Sequence, residues 1–126
     1  MTDYTRTTIN SWMTGQEALP QLTDLKWGIF KSDAGLDTNT PTDEVAYTGY
    51  ARQTITFDAG KTNDISVTFP NTDVEYTVTH AALIDNTTGK IIAYGPLTAS
   101  KVIPNGDPCH FSIGEINMNF LVSACP

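Results

Sequence analysis

The feature that most constrains this chain is a run that alternates apolar and polar residues, turns, and returns. Val74, Tyr76 and Val78 alternate with Glu75, Thr77 and Thr79, and the run continues into Ala81-Ala82-Leu83-Ile84. Asp85-Asn86-Thr87-Thr88-Gly89 then supplies turn residues, with a glycine able to take a positive φ. Lys90-Ile91-Ile92-Ala93-Tyr94 reads as the returning strand. A period of two puts successive side chains on opposite faces of a sheet, which a helix cannot do. The chain is therefore committed here to an antiparallel hairpin.

The same pattern recurs on both sides. Leu25, Trp27 and Ile29 alternate with Lys26 and Gly28; Gln53, Ile55 and Phe57 alternate with Thr54 and Thr56; Ile65, Val67 and Phe69 alternate with Ser66 and Thr68. Asp58-Ala59-Gly60-Lys61, Pro70-Asn71 and Asn105-Gly106-Asp107 punctuate these runs as turns. Near the end, Phe111 and Ile113 are odd-numbered while Ile116, Met118, Phe120 and Val122 are even, so the spacing predicts a β-bulge at Gly114-Glu115. The expected fold is mostly β: an antiparallel sandwich or barrel of about seven strands with a short N-terminal helix. Its expected core is Ile55, Phe57, Ile65, Val67, Phe69, Tyr76 and Val78.

Ahead of the strands, Ile9, Trp12 and Met13 fall at i, i+3 and i+4, which predicts a helix over Thr7–Thr14 stopped by Gly15. Two turns are marginal alone, so the Trp12 face must dock on the chain's own sheet or on a neighbouring subunit. With 126 residues the chain fits one domain, read as an N-terminal arm over 1–24 and an antiparallel β-domain over 25–126. Ile9, Trp12 and Met13 are candidate protein-interface residues. Arg52 joins them, since a guanidinium can bind two carboxylate oxygens or two main-chain carbonyls at once.

Charge and motif searches narrow the function. The net charge is −7, which disfavours a phosphate backbone, so nucleic acid is not an expected partner. There is no 18-residue apolar run and no basic-then-apolar start, so neither a membrane partner nor a secretory signal is expected. None of G-x-S-x-G, the phosphate-binding G-x-x-x-x-G-K-[ST], G-x-G-x-x-G or H-E-x-x-H occurs. No catalytic residue, cofactor or metal is expected. His80 and His110 read as sheet histidines, and Cys109-His110 has no second Cys/His pair to complete a zinc site. Asp33, Asp37, Asn39, Asp43 and Glu44 do not match a calcium loop and read as a solvated acidic loop. Asn86-Thr87-Thr88 matches a glycosylation acceptor, but a glycan requires a secretory route that nothing here supports, so these residues read as the hairpin turn. Cys109 and Cys125 could be free, bridged internally or bridged between subunits; closing their loop within one chain would contribute about 3 kcal/mol.

Tyr50-Ala51-Arg52-Gln53 followed by Ile55-Thr56-Phe57 resembles the GYARQ-x-V-T-F element of short structural proteins of tailed bacteriophages, often labelled tail-fibre proteins. Val67-Thr68-Phe69-Pro70, Val78-Thr79-His80, Leu83-Ile84-Asp85, Thr88-Gly89-Lys90, Ala93-Tyr94-Gly95-Pro96-Leu97, Lys101, Gly106-Asp107 and Phe111 continue the likeness in order. Upstream, Leu25-Lys26-Trp27-Gly28-Ile29-Phe30 and the acidic loop resemble the family's Y-V-A-L-F-T-x-D-P-G strand and loop. Trp27, the longer Thr/Asp loop and the two cysteines depart from the pattern. The resemblance implies a non-enzymatic virion component, assembled in the host bacterial cytoplasm. It implies other virion proteins and further copies of itself as partners. A capsid decoration protein is the first expectation, a tail, collar or fibre component the second. A receptor- or carbohydrate-binding module using Trp27, Tyr47, Tyr50 and Tyr94 is the third.

Overall fold

The computed structural model describes residues 2–117. One helix, α1 (Asp3–Met13), precedes six strands: β1 (Leu25–Phe30), β2 (Gln53–Thr54), β3 (Val67–Thr68), β4 (Tyr76–Asp85), β5 (Lys90–Ile103) and β6 (His110–Phe111). Four strands form one sheet in the order β2-β1-β4-β5, and β3 pairs with β6 in a second. All pairings are antiparallel. The fold is thus mostly β, and the two sheets do not close into a barrel.

Both faces of the larger sheet are buried where β1, the second half of β4 and the start of β5 meet, whereas the far half of β5 is mostly exposed. On one face Trp27 lies opposite Leu83 and Ile29 opposite Ala81. These residues pack with Ile55, Val67, Phe69, Tyr76, Val78, Cys109, Phe111 and Ile116, which bring in the smaller sheet. On the other face Phe30, Ala82, Ile84 and Ile91 surround Leu36, which the 31–44 loop delivers. A strand buried on both sides reads as a continuous apolar run rather than an alternating one, and Ala81-Ala82-Leu83-Ile84 is that run.

Two register shifts in the β4–β5 pair make this possible, one between Val78 and His80 and one between Leu83 and Ile84. The first changes the parity of β4: Tyr76 and Val78 face the first core, and beyond the shift Ala81 and Leu83 do. His80 does not share the face of Tyr76 and Val78, as its even number suggested. It pairs with Phe30 on β1 and is half-buried.

Other expectations need correction. The helix starts at Asp3 rather than Thr7, because Thr2 caps it by accepting from the Thr5 N–H. The Ala51–Phe57 and Ile65–Phe69 runs shrink to two-residue strands, while β5 extends through Gly95-Pro96 to Ile103. Proline is tolerated there because β5 is an edge strand. Gly114-Glu115 is a tight turn, not a bulge: the Glu115 N–H donates to the Ser112 carbonyl and Gly114 has φ 83°. Ile113 is left 67% exposed on it. Met118, Phe120 and Val122 lie outside the described residues.

Five of the seven expected core residues are buried: Ile55, Val67, Phe69, Tyr76 and Val78. Phe57 packs against them while only partly buried, and Ile65 is 38% exposed. The core is also larger than expected, since Leu36 and Val45 come from the polar segment after β1. That segment turns at Gly35, which has φ 75° and where a Cβ would stand 1.9 Å from the Thr40 carbonyl oxygen. Phe69→Ala is expected to destabilise by about 3–5 kcal/mol in chemical denaturation, whereas Ile65→Ala should cost less than about 1 kcal/mol. Equal losses for the two variants would contradict this core.

Candidate functional site

The Tyr50–Gln53 element lies along the outer edge of β1. At one end β2 pairs with β1, Lys26 opposite Thr54 and Trp27 opposite Gln53. At the other end residues 43–45 return: Lys31 N–H donates to the Asp43 carbonyl (2.8 Å) and Val45 N–H to the Ile29 carbonyl (3.1 Å). Between them the Ile29 N–H donates to the Tyr50 hydroxyl at 3.4 Å. That hydroxyl in turn donates to Glu44 Oε2 at 2.8 Å. Arg52 then holds the same carboxylate with both arms of its fork, Nε to Oε2 at 2.8 Å and Nη2 to Oε1 at 2.9 Å. Gly28 leaves room for this group, since a methyl there would meet Ile84 Cδ1 at 3.0 Å and Glu44 Oε2 at 3.3 Å.

The environment follows from the geometry. Glu44 and Arg52 are half-buried, with side chains 24% and 31% exposed. The Arg52 pKa is raised, first by its hydrogen bonds to Glu44. The Tyr50 phenol is pushed far above its ordinary value, first by burial and then by the Glu44 charge. The Tyr50 ring stacks on Phe69 at 5.8 Å, and Tyr47 stands edge-on to Tyr50 at 5.6 Å and stacks on Tyr76 at 5.5 Å. The Arg52 guanidinium therefore holds a segment of its own chain against β1.

The opposite edge, β5, is covered by α1. The register shift leaves Ile92 unpaired with β4, between Ile91 opposite Ile84 and Ala93 opposite Leu83. Thr2 Oγ1 donates to the Ile91 carbonyl and Thr5 Oγ1 to the Ile92 carbonyl, each at 2.6 Å. From the acidic loop the Asn39 amide accepts from the Ile91 N–H and donates to its carbonyl. The loop also receives the Asp3 N–H on the Asp37 carbonyl, and Arg6 Nη2 lies 2.8 and 2.9 Å from the Asp37 carboxylate oxygens. Arg6 pairs with Asp3 as well.

Sequence reasoning missed Thr2 and Thr5 because it sought an apolar docking face. The available signal was the helix-capping threonine just before Asp3. Trp12 and Met13 are 51% and 66% exposed, and Leu19 in the following connector is 46% exposed. Ile9 is only partly buried. The chain's own sheet thus leaves the Trp12 face largely uncovered. Arg52 and the Ile9–Met13 group are not brought together: one holds the β1 edge, the other extends from α1 on the β5 edge.

The remaining candidates hold structural positions. His110 Nδ1 pairs with the Thr68 hydroxyl at 2.6 Å and His80 Nδ1 with the Thr79 hydroxyl at 2.8 Å. Among the described residues no three His, Cys, Asp or Glu converge as metal ligands. The acidic loop is ordered rather than solvated throughout, with Leu36 buried and Asp43, Glu44 and Asn39 bonded. Asn86 forms the expected hairpin turn and donates from its amide to Asp24. Trp27 is buried in the core and Tyr94 packs partly buried on the second cluster, so neither is an open aromatic platform. Cys109 is buried, and burial pushes its thiol up to about 11. Cys125 lies outside the described residues. No helix among them is long and apolar enough to cross a membrane.

These features define a β-rich scaffold whose polar side chains close its own edges, with an uncovered aromatic and thioether group on its N-terminal arm. A family model described as podophage GP4 fiber I protein gp80 matches residues 1–119. The chain belongs to this family of phage fibre proteins. A comparison with curated proteins finds no match.

The β1 edge can be tested through Arg52 and Tyr50. Arg52→Lys keeps the charge but loses the fork, and is expected to lower stability by about 1 kcal/mol. Tyr50 favours its protonated form in the folded state. Its contribution is fully present below the unfolded phenol's value of about 10 and is lost as pH rises above it. Tyr50→Phe should therefore show a shallower fall in melting temperature between about pH 10 and pH 12 than the parent. Parallel curves would contradict the assignment.

Proposed function

We propose that this protein is a non-enzymatic structural component of a podophage tail fibre that binds other virion proteins and further copies of itself through its N-terminal arm. The observation that carries the reading is the match to a fibre-protein family over residues 1–119, which takes in the arm and the β-domain together. The family description favours a fibre over the capsid lattice that was the first expectation. Trp12 and Met13 support the contact. A Trp left half in water on a short helix has apolar area to bury, and Trp is a frequent anchor of protein interfaces. The net charge of −7 favours basic surfaces among virion partners and disfavours nucleic acid.

Trp12→Asp in the full chain tests the reading. The variant should keep the parent's melting temperature within about 2 °C, because the residue is not part of the core, yet fail to enter particles. Incorporation at the parent's level would overturn the arm as the contact. Copy number in purified particles separates a tail appendage from a capsid decoration protein, and a number matching the capsid lattice would overturn the fibre reading.

A further inference from the structure

We infer that α1 is a detachable clasp over the edge of β5, opening by local unfolding while the β-domain stays folded. The inference rests on how the helix is held. None of its eleven residues is buried. Its attachments include the Thr2 N–H and the Thr2 and Thr5 hydroxyls on the Ile91 and Ile92 carbonyls, the Asp3 N–H on the Asp37 carbonyl, Lys90 over the Tyr4 ring, and the exposed Arg6–Asp37 ion pair. Most helical stability in proteins comes from packing an apolar face, and a helix this short is marginal without one. An exposed ion pair adds little and is weakened by salt. The arm joins the domain through Thr14–Asp24, a connector that is mostly exposed and contains Gly15 and Pro20. Nothing in it obliges the helix to stay docked.

The contrast with β5's other cover locates the hinge. Asn39 bonds both the N–H and the carbonyl of Ile91, as a residue of a neighbouring strand would. Asn39 sits in a loop anchored by the fully buried apolar Leu36, whereas the one buried anchor of α1 is its polar N-cap, Thr2, and no apolar side chain of the helix is buried. When the clasp opens, the Asn39 contact therefore stays. The Ile92 carbonyl and the Thr2 contact to Ile91 are released, and an unbridged stretch of strand edge is presented. Elements with few buried contacts and solvent-exposed attachments are those that open locally. The opening is a property of the chain alone, so it stands or falls separately from the arm's proposed binding to a virion partner.

Hydrogen exchange and limited trypsin digestion of the full chain test this. The α1 amides should exchange at a rate well above that of the β4 amides. Trypsin should cut at Arg6, which requires the helix to unwind, while the β-domain remains intact. Thr5→Val, which removes the hydroxyl and keeps the shape, should speed both processes about three- to tenfold. Asp37→Asn should speed them about two- to fivefold, with the effect on exchange shrinking in high salt. Neither variant should shift the exchange of β4. Exchange of α1 at the rate of β4, or rates unmoved by both substitutions, would overturn the clasp.

Discussion

Where a sheet is buried on both faces, as it is around β1 and the second half of β4, it can meet water only at its edges, and the rest of this molecule is organised by how those edges are satisfied. β1 and β4 carry side chains into two cores at once, so neither strand can be exposed without opening both. The backbone groups along the outer side of β1 need partners. No full-length strand provides them. Two residues of β2, a return at 43–45 and one phenol together supply what a strand would have supplied. The Arg52–Glu44 pair fixes that composite edge, because its two parallel bonds tie the return to the stretch leading into β2. On the far side, β5 is closed by threonine hydroxyls and an asparagine amide. Both edges are thus shielded by side chains, one way for a β protein to avoid open-ended pairing.

The division between what was legible in the sequence and what was not follows from this arrangement. The hairpin of β4 and β5 could be read because alternation and turn chemistry are local. So could most of the first core, through Ile55, Val67, Phe69, Tyr76 and Val78. The parity of His80 could not, because a register shift beside Thr79 depends on pairing with β5 across the sheet. Leu36 lies in a loop whose acidic residues read as solvated, and only the second core on the far side of the sheet gives it a place. Edge closure by Thr2, Thr5 and Asn39 has no periodicity at all. Thr and Asn are common in turns and on surfaces, so their composition points nowhere until the bulge at Ile92 is known. Arg52 was legible as a residue with a fork to use, but its acceptor Glu44 was read as part of a solvated loop.

The sequence puts Ile9, Trp12, Met13 and Arg52 forward together as interface candidates, yet they differ in what contact with a partner would require. The Arg52 fork is already engaged, and withdrawing it would leave the Glu44 carboxylate half-buried without its cation. In the proposed reading, Arg52 would therefore influence assembly through the shape of the β1 edge, not through a bond across an interface. Trp12 has no such commitment. More than half of its surface meets water, and the helix that carries it is held to the domain by polar contacts at its other end. A partner covering Trp12 and Met13 would bury apolar area without breaking any hydrogen bond of the fold. In the proposed reading the apolar area for assembly lies on the arm, and the Thr2 and Thr5 contacts with the β5 edge hold that arm only while the helix stays docked.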